Sequence, residues 1–162
     1  MHVTDLMGLA IKDYSEGKDT EDLYNETSIS EKDKLPISHL FRSFKEMPLI
    51  EQKALKLCRG TILDIGAGAG AHSLYLQQQD FDVTALDASS TSIDVCHKRG
   101  VQKAICDSFL NYSEAKFDTL LLLMKGHDLA TSLVYLKLRF SILTFLSILR
   151  KNRKSTFFIL FI

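Results

Sequence analysis

The sequence predicts a doubly wound α/β fold with a mostly parallel sheet, and three observations carry the prediction. The apolar run Thr61-Ile62-Leu63-Asp64-Ile65 leads into glycines at alternate positions, Gly66, Gly68 and Gly70. Ala71-His72-Ser73-Leu74-Tyr75-Leu76 then reads as the first turns of a helix, so this stretch is a strand, a tight turn and a helix N-terminus. Downstream, strand-like and helix-like segments alternate as β-α-β-α-β-β. The last of them contains Leu120-Leu121-Leu122-Leu123, which is apolar on both faces, as a central strand of a parallel sheet requires.

Each element has its own signal. Val3, Leu6, Met7, Ala10, Ile11 and Tyr14 recur at helical spacing, with Thr4 as the expected cap and Gly17 as the stop. Residues 16–34 are polar and acidic and read as a loop. Ile37, Leu40, Phe41 and Phe44 fall on one helical face after Pro36. Ile50, Ala54, Leu57 and Cys58 fall on another after Pro48, with Gly60 ending that helix. Asp82–Leu86 is the second strand of the core, and a helix is expected over Thr91–Arg99, where Thr91 and Asp94 have capping-box spacing and Gly100 closes the turn. Lys103–Cys106 and Asp118–Met124 supply the third and fourth strands.

With 162 residues, 46% of them apolar and 25% charged, the chain suits one globular domain with a single core. Its zero net charge hides an asymmetry. Residues 1–128 carry all 20 acids against 14 bases, a net −6, whereas residues 129–162 hold six bases and no acid. An acidic body argues against a nucleic-acid partner. Cys58, Cys96 and Cys106 are too few and too far apart for a disulfide framework or a metal site, and they fit reduced thiols in the cytoplasm. The N-terminus shows no basic region followed by an apolar one, so no signal peptide is expected.

Parallel neighbouring strands bring Asp64, the glycines, Asp87 and Asp107 to one rim, the carboxyl ends of the sheet. Asp87 follows Gly66 by about 20 residues, where a carboxylate can accept hydrogen bonds from a ribose diol. Asp107 is placed to accept from an adenine amino group, with Phe109 covering the ring, although a plain loop acid explains Asp107 equally well. Gly66-x-Gly68-x-x-Ala71 also satisfies the loose dinucleotide pattern. Asp64 decides between the cofactors, because a carboxylate repels a pyrophosphate and attracts an ammonium and a sulfonium.

Asp64-x-Gly66-x-Gly68-x-Gly70, with Asp87 and Asp107 closing the next two strands, resembles the class I S-adenosylmethionine-dependent methyltransferases. Among them it is most similar to the small-molecule enzymes known as methyltransferase type 11, over roughly Pro36 to Gly126. The resemblance implies a Rossmann-like fold and S-adenosylmethionine as cofactor. Gly66, Gly68 and Gly70 would shape the loop under the methionine part, Asp64 would hold its amino group, Asp87 the ribose and Asp107 the adenine. Ala67, Ala88, Ser108 and Phe109 complete the implied binding set. Leu40-Phe41-Arg42 and Met47-Pro48 take a loose lid role. Arg42 could reach the cofactor carboxylate, although a solvated helical arginine is the commoner case. Lys125 and His127 fall where the family places groups near the transferred methyl, yet a surface loop explains both. Because the methyl donor is already activated, the reaction needs alignment more than chemistry from side chains, and no catalytic residue or metal is assigned.

The expected organisation is residues 1–58 as an N-terminal helical lid segment, 59–128 as the cofactor-binding core and 129–162 as an atypical tail. The tail has no Gly or Pro. Its periodicity fits a strand over Val134–Ile142 or a helix from Ile142, and Lys137 and Arg139 interrupt any stable membrane span. A basic amphipathic anchor is a second reading. The favoured one is a coding frame lost near Gly126, which leaves the sheet incomplete in its C-terminal half and Ser155–Ile162 as a makeshift strand. The function expected is methyl transfer to a small molecule. The alternatives are an inactive cofactor-binding remnant and, disfavoured by Asp64, a nicotinamide-dependent oxidoreductase. Acceptor and oligomeric state are not encoded in any motif.

Overall fold

The computed structural model of the protein describes residues 5–19, 23–25, 33–109, 111–112, 116–124 and 156–161. Helix α1 spans Leu6–Ser15. Its cap is Asp5, whose carboxylate accepts the Gly8 N–H at 2.8 Å; the expected cap, Thr4, lies outside the described residues. Where a polar loop was expected, strands β1 (Leu23–Asn25) and β2 (Asp33–Leu35) form an antiparallel pair, with Leu23 opposite Leu35. That apolar cross-strand pair gives the acidic stretch a point of attraction.

Residues 37–46 form two short 3-10 turns, Ile37–Phe41 and Phe44–Glu46, and not the helix the periodicity suggested. The break has a local cause. Arg42 and Ser43 are extended, and the Ser43 N–H and hydroxyl both donate to Glu46 Oε2 at 2.7 Å, which starts a new turn. Helix α2 (Leu49–Leu57) turns a different face inward from the one expected. Glu51, Ala54, Leu55 and Cys58 are buried, while Ile50 and Leu57 are about half exposed. An acid occupies the inward row because it has partners there.

The main sheet contains β3 (Thr61–Ile65), β4 (Asp82–Asp87), β5 (Ala104–Cys106), β6 (Thr119–Met124) and β7 (Thr156–Phe161). Its order is β5-β4-β3-β6-β7, and every neighbouring pair is parallel. Helix α3 (Ala71–Gln78) joins β3 to β4, and α4 (Ser90–Lys98) joins β4 to β5. The α4 cap is Ser89, whose hydroxyl oxygen accepts the Ser92 N–H at 2.9 Å, while the expected cap Thr91 already lies in the first turn. Side-chain alternation along the strands builds a core on both faces. Ile62 and Leu121 pack with Leu55 and Leu76 on one face; Leu63, Leu86 and Leu120 pack with Tyr112 and Phe117 on the other.

The strand expected within Ser155–Ile162 is present as β7. Thr156–Phe161 is a member of the main sheet, in continuous register with β6 from Thr119 opposite Thr156 to Met124 opposite Phe161. Phe157-Phe158-Ile159-Leu160-Phe161 is an uninterrupted apolar run, a pattern common in parallel strands. The alternation over Val134–Ile142, together with Lys125 and His127, lies outside the described residues. No helix among the described residues is long and apolar enough to cross a membrane.

Candidate functional site

The chain leaves β3 toward β4 on one side and returns to β6 on the other, so strand order reverses at β3. A crevice opens at the carboxyl end of such a strand, and there the Gly66–Gly70 loop lies. The Gly66 and Ala67 N–H groups both donate to the Leu86 carbonyl, at 2.8 and 3.2 Å, which ties the loop to β4. Gly66 has φ +73°, and a Cβ added there would meet nothing within 4 Å; the backbone therefore faces open space. Gly70 differs. Its φ is +78°, but a Cβ would stand 2.9 Å from Val101 Cγ2 and 3.0 Å from Cys96 Sγ, so its lack of a side chain serves the packing of the start of α3 against α4 and the segment after it.

Asp87 closes β4 and fixes the loop from the side. Its Oδ2 accepts the Gly68 N–H and its Oδ1 the Ser89 N–H, both at 2.9 Å. Each carboxylate oxygen keeps a second acceptor site, so Asp87 can serve the loop and a ligand together. Gly66, Gly68, Asp87 and Ala88 line a cleft of 750 Å³, within the usual range for small-molecule sites. Its far wall is α1, through Asp5, Met7 and Ile11. The Ser89 hydroxyl donates to Asp5 Oδ2 at 2.6 Å, across 84 residues of sequence, and Ile11 is fully buried against Ala69 and Val95. Helix α1 is thus fastened beside the loop at its N-terminus and through its middle.

The other expected site residues are placed differently. Asp64 is 1% exposed and does not line this cleft; its Oδ2 accepts the Ser73 hydroxyl at 2.6 Å. Burial pushes its carboxyl above the ordinary aspartate value, only partly offset by the nearby His72 and the Ser73 hydrogen bonds. Ala67 borders a small adjoining cavity. Asp107 Oδ1 accepts the Ser108 N–H at 2.6 Å, the Asp107 N–H donates to the Asp87 carbonyl at 3.0 Å, and Phe109 packs against the core containing Leu63 and Leu86; none of the three lines the 750 Å³ cleft.

Arg42 donates to both carboxylate oxygens of Glu51 and, at 2.9 Å, to the His39 carbonyl, so it is tied into the fold and not a solvated helical arginine. Arg99 bridges the loop and the cover. It donates to the Ala69 and Phe41 carbonyls and lies 4.7 Å over the Phe41 ring. Asp5, Ser89, Glu51 and His72 were not assigned to the site from sequence. Only Glu51 carried a signal, as an acid at the i, i+3, i+4, i+7 spacing of Ala54, Leu55 and Cys58.

An open parallel sheet with a glycine loop at its switch point and an acid on the next strand is the framework of a nucleoside-cofactor domain. The sequence model of the family described as a methyltransferase domain matches residues 62–142, half of the chain, so the chain belongs to that family. The match continues past Gly126. The fold is similar to that of a methyltransferase from Bacteroides fragilis, solved in complex with S-adenosyl-L-homocysteine, with 37% identity, a TM-score of 0.79, and coverage of 90% of this chain and 60% of that one. Streptomyces venezuelae DesVI shares the fold at 18% identity and a TM-score of 0.50, over 61% of this chain and 44% of that one. A curated relative, the 23S rRNA (uracil(747)-C(5))-methyltransferase of Pyrococcus horikoshii, is 31% identical over 65 residues, which are 40% of this chain and 16% of that protein. The chain therefore spans less than two thirds of the length of these relatives. In fold and family it is a class I S-adenosylmethionine-dependent methyltransferase domain.

Proposed function

We propose that this chain binds S-adenosylmethionine in the 750 Å³ cleft and transfers its methyl group to a small-molecule acceptor. The observation that carries the reading is the open backbone at Gly66 beside the Asp87 carboxylate, a cradle that a side chain at Gly66 would fill. Gly66 and Gly68 provide close approach to the main chain, and Asp87 accepts from the ribose hydroxyls while holding the loop. Ala88 borders the nucleoside. Asp107, Ser108 and Phe109 belong to the adenine side. Asp64 acts from below, by fixing the first turn of α3 through Ser73, and Gly70 acts through packing. When bound, the cofactor supplies an activated methyl on a sulfonium, so the protein's task is to orient the two reactants and keep water out.

A small acceptor is favoured over RNA because residues 1–128 carry a net −6, which repels a phosphate backbone. The similarity to an rRNA enzyme covers only 65 residues. Free, buried Cys58 and Cys96 suit a reducing, cytoplasmic setting. Asp87→Ala tests the site: isothermal calorimetry with S-adenosylhomocysteine should show affinity at least about tenfold weaker than wild type, the loss of one or two charge-assisted hydrogen bonds. Equal affinity would remove Asp87 from the site.

A further inference from the structure

Glu51, Arg42 and His72 form a charged cluster that cofactor binding does not require. Glu51 is 4% exposed, and His72 Nε2 lies 3.2 Å from its Oε2. Burial pushes the Glu51 carboxyl up, but the hydrogen bonds from His72 and Arg42 prevail and hold it below its ordinary value. An ionised carboxylate has no proton to give. A ring that meets a carboxylate through Nε2 donates from that atom and leaves Nδ1 for a second partner. Asp64 and His39 are the other titratable groups near the ring or its cavity.

His72 also lines a cavity of 60 Å³ together with Gly66, Ala67 and Leu123. Leu35, Leu40, Gly66 and Leu123 border both this cavity and the 750 Å³ cleft, so the two spaces meet at the glycine loop. Resting on the reading that the cleft holds S-adenosylmethionine, we propose that His72, oriented by Glu51 and Arg42, is the base that receives the proton of a hydroxyl acceptor. In that step the acceptor oxygen forms a bond to the methyl carbon. The S–CH₃ bond breaks with its electron pair passing to sulfur, the O–H pair returns to oxygen, and the proton moves to His72 Nδ1. The resulting imidazolium faces the Glu51 carboxylate, which offsets its charge. A thiolate acceptor has no proton to lose and gains nothing from this arrangement. Glu51 and Arg42 are positioning residues.

The test compares phenol with thiophenol, which is ionised at neutral pH, as methyl acceptors, using the full chain and His72→Gln, whose amide still donates to Glu51. Formation of S-adenosylhomocysteine is the readout. The variant should lower the phenol-to-thiophenol rate ratio by about 100-fold or more. An unchanged ratio, or a wild type that leaves phenol unmethylated, overturns the assignment. Nitrogen-15 NMR of the imidazole supplies a readout independent of turnover: the Nε2–H tautomer is expected in wild type, and an Nδ1–H tautomer contradicts the proposal. Calorimetry with S-adenosylmethionine separates the two claims. Absence of binding by wild type overturns the cofactor reading, whereas binding with an unchanged rate ratio overturns only the role of His72.

Discussion

Gly66 and Gly70 belong to one motif and have nearly the same backbone dihedral, yet their surroundings assign them different work. A methyl group at Gly66 enters open cleft, so Gly66→Ala should cost about 1–2 kcal/mol for the left-handed conformation and in addition weaken cofactor binding. At Gly70 the same φ cost adds to a collision with Val101 and Cys96, and Gly70→Ala should lower stability by about 2–4 kcal/mol, measured by urea unfolding. Equal losses at the two positions would contradict this division. The motif was legible in the sequence because positive-φ glycines after a strand have few other uses. The division was not, because Val101 is separated from Gly70 by α3, β4 and α4, and their contact exists only after folding. Asp64 shows the same limit. Its type and place in the motif could be read, but its burial under α3 depends on Ser73 turning back toward it.

The elements around the sheet are joined to the loop by polar ties. Asp5 caps α1 and accepts from Ser89, Arg99 links the loop to the 3-10 turn through Ala69 and Phe41, and Glu51 joins α2 to Arg42 and to His72 at the start of α3. The Glu51 tie sets a pH dependence. Because the folded carboxyl titrates below its ordinary value of 4.5, its contribution is fully present above that pH and is lost as pH falls through the lower folded value. Glu51→Gln should therefore cost about 1–3 kcal/mol at neutral pH, with the difference from wild type shrinking on acidification below 4.5. Thermal unfolding across that range checks it, and a penalty independent of pH would contradict it. Buried Asp64 runs the other way. Its raised value favours the folded state at low pH, and that advantage is lost as pH rises. Periodicity located α1 and α2, but it misassigned the buried face of α2 by one position and missed the break at Arg42-Ser43. The two errors differ in origin: Glu51 is inward because tertiary partners receive it, about which single-helix spacing contains no information, whereas the break follows from the local Ser43–Glu46 hydrogen bonds.

At the scale of the molecule, strand alternation identified the parallel sheet and its glycine loop, since buried parallel strands are written as continuous apolar runs. The order β5-β4-β3-β6-β7 then places the loop at the switch point without help from any one residue. Strand β7 was the part least legible. Its apolar residues follow a stretch, 129–155, that contains no Gly or Pro to mark a turn, and nothing local to Thr156–Phe161 says that it joins β6. The family match itself runs to residue 142, past Gly126. The central claim is that this sheet presents an adenosylmethionine cleft, and thermal unfolding of the full chain with S-adenosylmethionine, S-adenosylhomocysteine and NAD tests it most directly. At ligand about 100 times its dissociation constant, each sulfur ligand should stabilise the fold by about 2.7 kcal/mol, seen as a concentration-dependent rise in melting temperature, and NAD should produce none. Stabilisation by NAD alone, or by none of the three, would contradict the account.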